Sequence, residues 1–291
     1  TIADVVALES IGLSHQFYIW FVLLHELAFV LGFMAVGFLI YWRSEPNWFI
    51  WCVALSLICY GVTGGEFADN VFAERGGWYW VGELLQALGT GGIVTLFFLF
   101  PNGRFVPQWS KWIIIGWWGL VFLWLLFPNL TLNMLNSASW SKTPIASLAF
   151  ALVLFNFGNF SQVYRYKFVS NAVEKQQTKW IVMGFLAMAT TGILYFFPPM
   201  LFELVAQPGL PRVLRLLVTV PISLPLMLFL PVSIAVAIFR YRLWDIDILI
   251  NRTLVYSTLT IILLIAYVGM VGGLNAILQS QNSQWLSLGV T

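Results

Sequence analysis

Apolar residues run along this chain in long blocks broken by short polar connections. A block of about 20 such residues is the length at which an α-helix crosses a bilayer. Eight are present, at roughly 15–41, 47–64, 78–100, 110–127, 144–164, 180–203, 213–239 and 253–279. The pattern predicts an all-α fold, a polytopic integral membrane helix bundle of about eight transmembrane helices. Residues 280–291 begin polar and end WLSLGVT, the beginning of a partial ninth. Trp or Tyr stands at many block ends, among them Trp42, Trp48, Trp78, Trp80, Trp109, Trp112, Trp180 and Tyr256, where an amphipathic ring suits the headgroup level. Pro221, Pro225 and Pro231 fall inside the seventh block and should bend its helix or break it, so that a packing kink and a hinge are both open.

Composition removes the soluble alternatives. The chain is 60% hydrophobic and 9% charged, with a mean hydropathy of +0.87, against about a quarter charged residues in a soluble domain. No long stretch has the mixed polarity from which a soluble core is built, so residues 1–291 read as a single membrane domain with no soluble catalytic domain. A net charge of +2, with its cations scattered through the connections, excludes nucleic acid as a partner and leaves the lipid bilayer. Cys52 and Cys59 lie seven residues apart in one block, about 10 Å on a helix and beyond disulfide reach. They read as buried free thiols. Thr1 is no initiator and no cleavable signal follows it, so processing or a longer parent chain is expected.

The cations also orient the chain, because Lys and Arg favour the cytoplasmic side. Of the 14, ten fall in the connections after blocks one, three, five and seven, and four (Arg75, Lys142, Arg212 and Arg215) on the opposite side. That asymmetry puts residue 1 on the external side of the membrane and the basic connections in the cytoplasm.

Ionisable groups at membrane depth are costly and point to function by default. The first block holds both histidines, and His15, Tyr18, Val22, His25 and Glu26 share one helical stripe roughly 100° wide. Three readings stand: His25 and Glu26 satisfied within the bundle, a ligand or proton-sensing site, or a pigment or haem on His25. No other cofactor is expected, and a haem held by both histidines fails because they lie roughly 15 Å apart along one helix. In the third block Glu83, Gln86 and Thr90 form a second stripe beside Gly89, Gly91 and Gly92. If the two blocks pack together, His25, Glu26, Glu83 and Gln86 line a polar intramembrane pocket; otherwise the stripe is helix–helix glue. Asn156, Asn159, Ser161 and Gln162 in the fifth block read as interhelical hydrogen bonds and a snorkelling interface, ahead of a transport path. The segment NAVEKQQTKW that follows reads as a basic connection able to touch anionic headgroups.

The most charged stretch of the second half is RYRLWDIDILINRTLVY, residues 240–256. Asp-x-Asp can hold Mg²⁺ for diphosphate chemistry, yet that chemistry needs a soluble pocket that these short connections do not provide. Leu243, Ile246, Leu249 and Ile250 instead share a face at helical spacing, with the charges free to reach water. Arg240, Arg242, Trp244, Asp245, Asp247 and Arg252 are therefore expected to form a cytoplasmic coupling element, and no metal site is expected.

Three segments together, FPNGRFVPQW (100–109), KQQTKWIVMGF (175–185) and RYRLWDIDILINRTLVYSTLT (240–260), resemble the N-terminal polytopic membrane region of ComP-like bacterial sensor histidine kinases and their kinase-less relatives. LESIGLSHQFYIW (8–20) is similar to the start of that region. The resemblance implies a membrane input region that passes an external or membrane-borne signal, such as a small ligand or peptide, to a cytoplasmic output module, in a homodimer or larger complex. The chain departs from a complete kinase: both histidines precede or sit within the first span, and no glycine-rich ATP-binding region follows. Any kinase activity would belong to a longer protein. The alternative function is an accessory structural subunit of a respiratory or photosynthetic membrane complex. Transport would call for paired broken helices in two halves, and only the seventh block qualifies.

Overall fold

The computed structural model describes residues 1–45, 47–65, 78–135 and 143–242. All regular structure among them is helical: α1 (Ile2–Ser10), α2 (His15–Arg43), α3 (Trp48–Thr63), α4 (Trp78–Leu99), α5 (Ser110–Leu126), α6 (Pro144–Phe168), α7 (Ala172–Leu201), α8 (Glu203–Ala206) and α9 (Leu210–Arg242). The helices α2 to α7 and α9 are the first seven apolar blocks. Five of them, α2, α4, α6, α7 and α9, are long and apolar enough to cross a membrane, which makes the chain a multi-pass membrane protein. At 16 and 17 residues, α3 and α5 reach about 24–26 Å, short of a hydrocarbon core of about 30 Å. The eighth block and the partial ninth lie outside the described residues, so the expected count of eight stands at five spans and two shorter apolar helices.

The largest boundary difference is at α7, which begins at Ala172 rather than near residue 180. Asn171 caps it: its side-chain oxygen accepts from the Glu174 amide at 2.9 Å, while the Glu174 carboxylate accepts from the Asn171 amide at 3.1 Å. This reciprocal box satisfies two of the orphan donors of a helix start, and it turns the expected connection into two helical turns. The helix α9 runs unbroken through Pro221, Pro225 and Pro231. Cys52 is exposed and Cys59 buried, both as free thiols, which corrects the expectation that both are inside.

Two compact units are present, one comprising residues 1–27 and 192–225, the other 28–191 and 226–242. In the first, Ala7 and Leu8 of α1 and Leu13 pack on Val213 of α9, joined by Phe17 and Leu217. The Gly209 amide donates to Asp4 at 3.0 Å, and Arg212 stands 4.0 Å from the same carboxylate.

The second unit is assembled on glycines and rings. At Gly89 a Cβ would lie 2.5 Å from the backbone nitrogen of Tyr60, so α4 and α3 approach with backbone against backbone. Gly92 faces Ser56 in the same contact, and Gly91 lies under the Trp118 ring. The glycines of the third block thus act as the close-packing surface that small residues provide in membrane helices. Trp117 and Trp124 of α5 are buried in an edge-to-face pair at 5.6 Å, and the Trp117 Nε1 donates to the Gly91 carbonyl at 3.3 Å. Phe97 of α4 stacks on Phe185 of α7 at 3.9 Å. Outside, Trp20, Trp42, Trp48, Trp80 and Trp112 are exposed, as lipid-facing and headgroup-level rings are.

Alanine at Gly89 should force α3 and α4 apart and cost about 1–3 kcal/mol. Alanine at Gly116 or Gly119, where a Cβ meets nothing within 4 Å, should be neutral or stabilising by up to about 1 kcal/mol. Thermal unfolding of the three variants in detergent checks this, and equal melting temperatures would contradict the close approach.

Candidate functional site

One end of the second unit gathers polar side chains that the apolar pattern does not announce. It begins with the carboxyl end of α4, whose last four carbonyls have no partner within the helix. Phe100 and Gly103 donate their amides to the carbonyls of Leu96 and Leu99, each at 2.9 Å. Gly103 closes this turn at a φ of +72°, a conformation few L-residues adopt, with the rings of Phe49 and Trp48 against it. Pro101 and Pro107 have no amide hydrogen to offer. The remaining carbonyls are taken by α6.

From α6, Gln162 donates to the carbonyls of Phe97 and Phe100, and Ser161 to that of Val106 at 2.6 Å. One turn on, Arg165 is only 1% exposed. Its guanidinium donates to the Phe98 carbonyl at 3.3 Å, to the Arg104 carbonyl, and to Asn102 Oδ1 at 2.6 Å. Asn102 is the hub: the same oxygen accepts from the Arg104 amide at 3.3 Å, and its Nδ2 donates to Glu174 at 3.0 Å. The connection runs Arg165, Asn102, Glu174, with a neutral amide between cation and carboxylate. Gln177, one turn along α7, donates to the Ala237 carbonyl of α9 at 2.9 Å. Beside this network a cleft of about 240 Å³ is lined by Asn47, Phe49, Pro101, Asn102, Gln177 and Ile238.

A planar fork of donors gripping main-chain oxygens positions a loop; it does not make a nucleophile or a base. Among the described residues no group of three or more His, Cys, Asp or Glu side chains could hold a metal. The arrangement is mechanical: it ties the 98–106 loop, α6, α7 and α9 into one end.

The sequence-derived candidates are distributed differently. His25 and Glu26 are half-buried on α2 in the first unit. Glu83 and Gln86 are half-buried on α4 in the second, with Glu83 hydrogen-bonded to Tyr79 one turn earlier. Trp244, Asp245, Asp247 and Arg252 lie outside the described residues; Arg240 and Arg242 belong to the last turn of α9. Ser161 and Gln162 make the bonds between segments expected of them. Asn156 and Asn159 do not, since each amide folds back on its own helix, to the carbonyls of Leu152 at 2.8 Å and Phe155 at 3.1 Å. Arg165, Asn102 and Glu174 were missed as a unit. The available signal was the spacing of Ser161, Gln162 and Arg165 on one face of a helix, beside an Asn-Gly turn.

In the first unit, burial pushes the Asp4 carboxyl up, but the Thr1 hydroxyl, the Gly209 amide and Arg212 outweigh it and hold the group below its ordinary 3.8. Comparison with protein-family models, curated proteins and solved structures returns no match to this chain.

Two outcomes are expected. Arg165→Ala leaves the buried Phe98 carbonyl and the part-buried Arg104 carbonyl without this donor and should cost about 1–3 kcal/mol for the first and less for the second. Faster amide hydrogen exchange confined to residues 98–106 is its signature, while Glu174→Gln, which keeps the acceptor, should cost about 1 kcal/mol or less. A carboxylate whose folded pKa is lowered contributes stability that is present above 3.8 and lost as pH falls below it. Exchange across residues 2–13 should therefore accelerate on acidification below that value, and Asp4→Asn should flatten the dependence.

Proposed function

We propose that this chain is the membrane-embedded signal-input region of a sensor histidine kinase-like protein. It relays an external or membrane-borne signal to a cytoplasmic output module carried outside these residues. The observation that supports this reading is the polar network at the Asn102 end. The resemblance rests on three segments, and the network joins the elements that carry them. Asn102 stands in the first segment and Gln177 in the second. Ala237, which accepts from Gln177, lies one turn before the third begins at Arg240. A shift of α6 or α7 is thereby delivered to the head of RYRLWDID through hydrogen bonds rather than through loose apolar contact. This is the property required of a relay, in which a ligand acts by favouring one of two arrangements of a packed element. Asp245 and Asp247, with Arg240, Arg242 and Arg252, then serve to hold the coupling element in register at the cytoplasmic surface.

The intact mass of the protein purified from native membranes, with peptide mapping past Thr291, tests this first. A mass well above 33.0 kDa, with soluble peptides of an output module, is the expected result. A mass near 33.0 kDa, with cofactor-bearing chains migrating alongside, would replace the reading with an accessory subunit. In the full-length protein, D245N/D247N should preserve membrane insertion and abolish output; loss of a divalent-metal-dependent reaction instead would indicate an enzyme.

A further inference from the structure

Independently of that reading, Lys175 and Lys179 of α7 stand one helical turn apart, and both ammonium groups lie over the same ring of α6. Their Nζ atoms are 5.7 and 5.9 Å from the Tyr166 centroid. Two like charges at i and i+4 on a helix repel, and a ring face attracts each of them only weakly at an exposed site. The neighbouring Glu174 forms no ion pair with either of them; its two oxygens accept from Asn102 and from the Asn171 amide. Neither lysine has a carboxylate partner within 4.0 Å among the described residues. The pair is therefore a concentration of positive charge with no counter-ion among the described residues.

Its place limits what the counter-ion is. Tyr166 is half-buried two residues before the end of α6, a membrane-crossing helix, and Lys175 and Lys179 occupy the first turns of the next crossing helix. Val169, three residues beyond Tyr166, and Met183, one turn beyond Lys179 on the same face of α7, are exposed. An anion held by the lysines is thus bordered by apolar surface at the level where a helix leaves the hydrocarbon. That combination matches an anionic phospholipid, whose phosphate accepts from ammonium groups while its chains cover exposed apolar side chains.

We propose that Lys175, Lys179 and Tyr166 form a headgroup site for an anionic phospholipid. The site keeps the amino end of α7 at the membrane surface beside the Glu174 cap. The phosphate bridges the two ammonium groups, and the Tyr166 face holds both lysines on one side of the helix.

Native mass spectrometry of the purified full chain, titrated with phosphatidylglycerol or phosphatidylcholine, tests this. The wild type should bind phosphatidylglycerol in preference, and K175Q/K179Q should lower that affinity roughly 10- to 30-fold. R43Q/K111Q removes the same charge from two exposed positions elsewhere and should leave the preference intact. Tyr166→Leu keeps both charges and should lose part of the affinity. Equal loss in the two double variants would reduce the effect to bulk charge and overturn the site. So would equal binding of phosphatidylcholine, full affinity in Tyr166→Leu, or displacement of the lipid by inorganic phosphate, which would mark a soluble phosphate ligand.

Discussion

The second unit depends on one buried cation. Taking a guanidinium out of water costs several kcal/mol unless its donors are met, and Arg165 has no carboxylate against it. Its two terminal nitrogens meet main-chain oxygens and one amide instead, while Nε stays unpaired among the described residues, and the negative charge, Glu174, stands behind Asn102. The arrangement is favourable only while the 98–106 loop holds its carbonyls inward. The loop in turn holds them inward because Pro101 and Pro107 supply no competing donors and Gly103 accepts the turn. Cation and loop specify one another. Glycine contacts between α3 and α4 and the Phe97–Phe185 stack set how near the helices come, while the Arg165 bonds set which ends meet.

This division explains what was readable in the amino-acid pattern. Seven apolar blocks became helices at close to the expected boundaries, because a run of apolar side chains has one good solution in lipid. The glycine stripe at Gly89 and Gly92 was readable for the same reason. The start of α7 was not, since EKQQTK scores as a connection on hydropathy, whereas Asn171 and Glu174 at the spacing of a capping box fix a helix there. Arg165 was lost to the topology argument itself: counting Lys and Arg as water-facing assigns every cation to a connection, and this one is inside. Helical phase alone groups His25 with Glu26 and Glu83 with Gln86 on their stripes; it says which residues share a face and not which faces meet. Asn156 and Asn159 misled in a simpler way, because an amide in a helix can satisfy itself on the carbonyl four residues back.

The two ends of α7 illustrate different uses of polarity in an apolar chain. At its amino end Glu174 closes a cap and reaches the Arg165 network, and Gln177 reaches α9. Toward its other end the Tyr195 carbonyl receives Arg215 at 2.9 Å, with the guanidinium 5.8 Å from the same tyrosine's ring. Glu174 accepts, whereas Gln177 and Arg215 each donate from the side chain of one helix to the backbone of another.

That preference for backbone acceptors divides the mutational burden unevenly. Every amino acid carries a carbonyl, so the identities at positions 97, 98, 100, 104 and 106 can drift without removing what Ser161, Gln162 and Arg165 bind, provided the turn keeps its course. The donors have no such freedom, since no other side chain offers the guanidinium's fork. Variation across this network should therefore be lopsided, permissive on the loop that is held and strict on the helix that holds it.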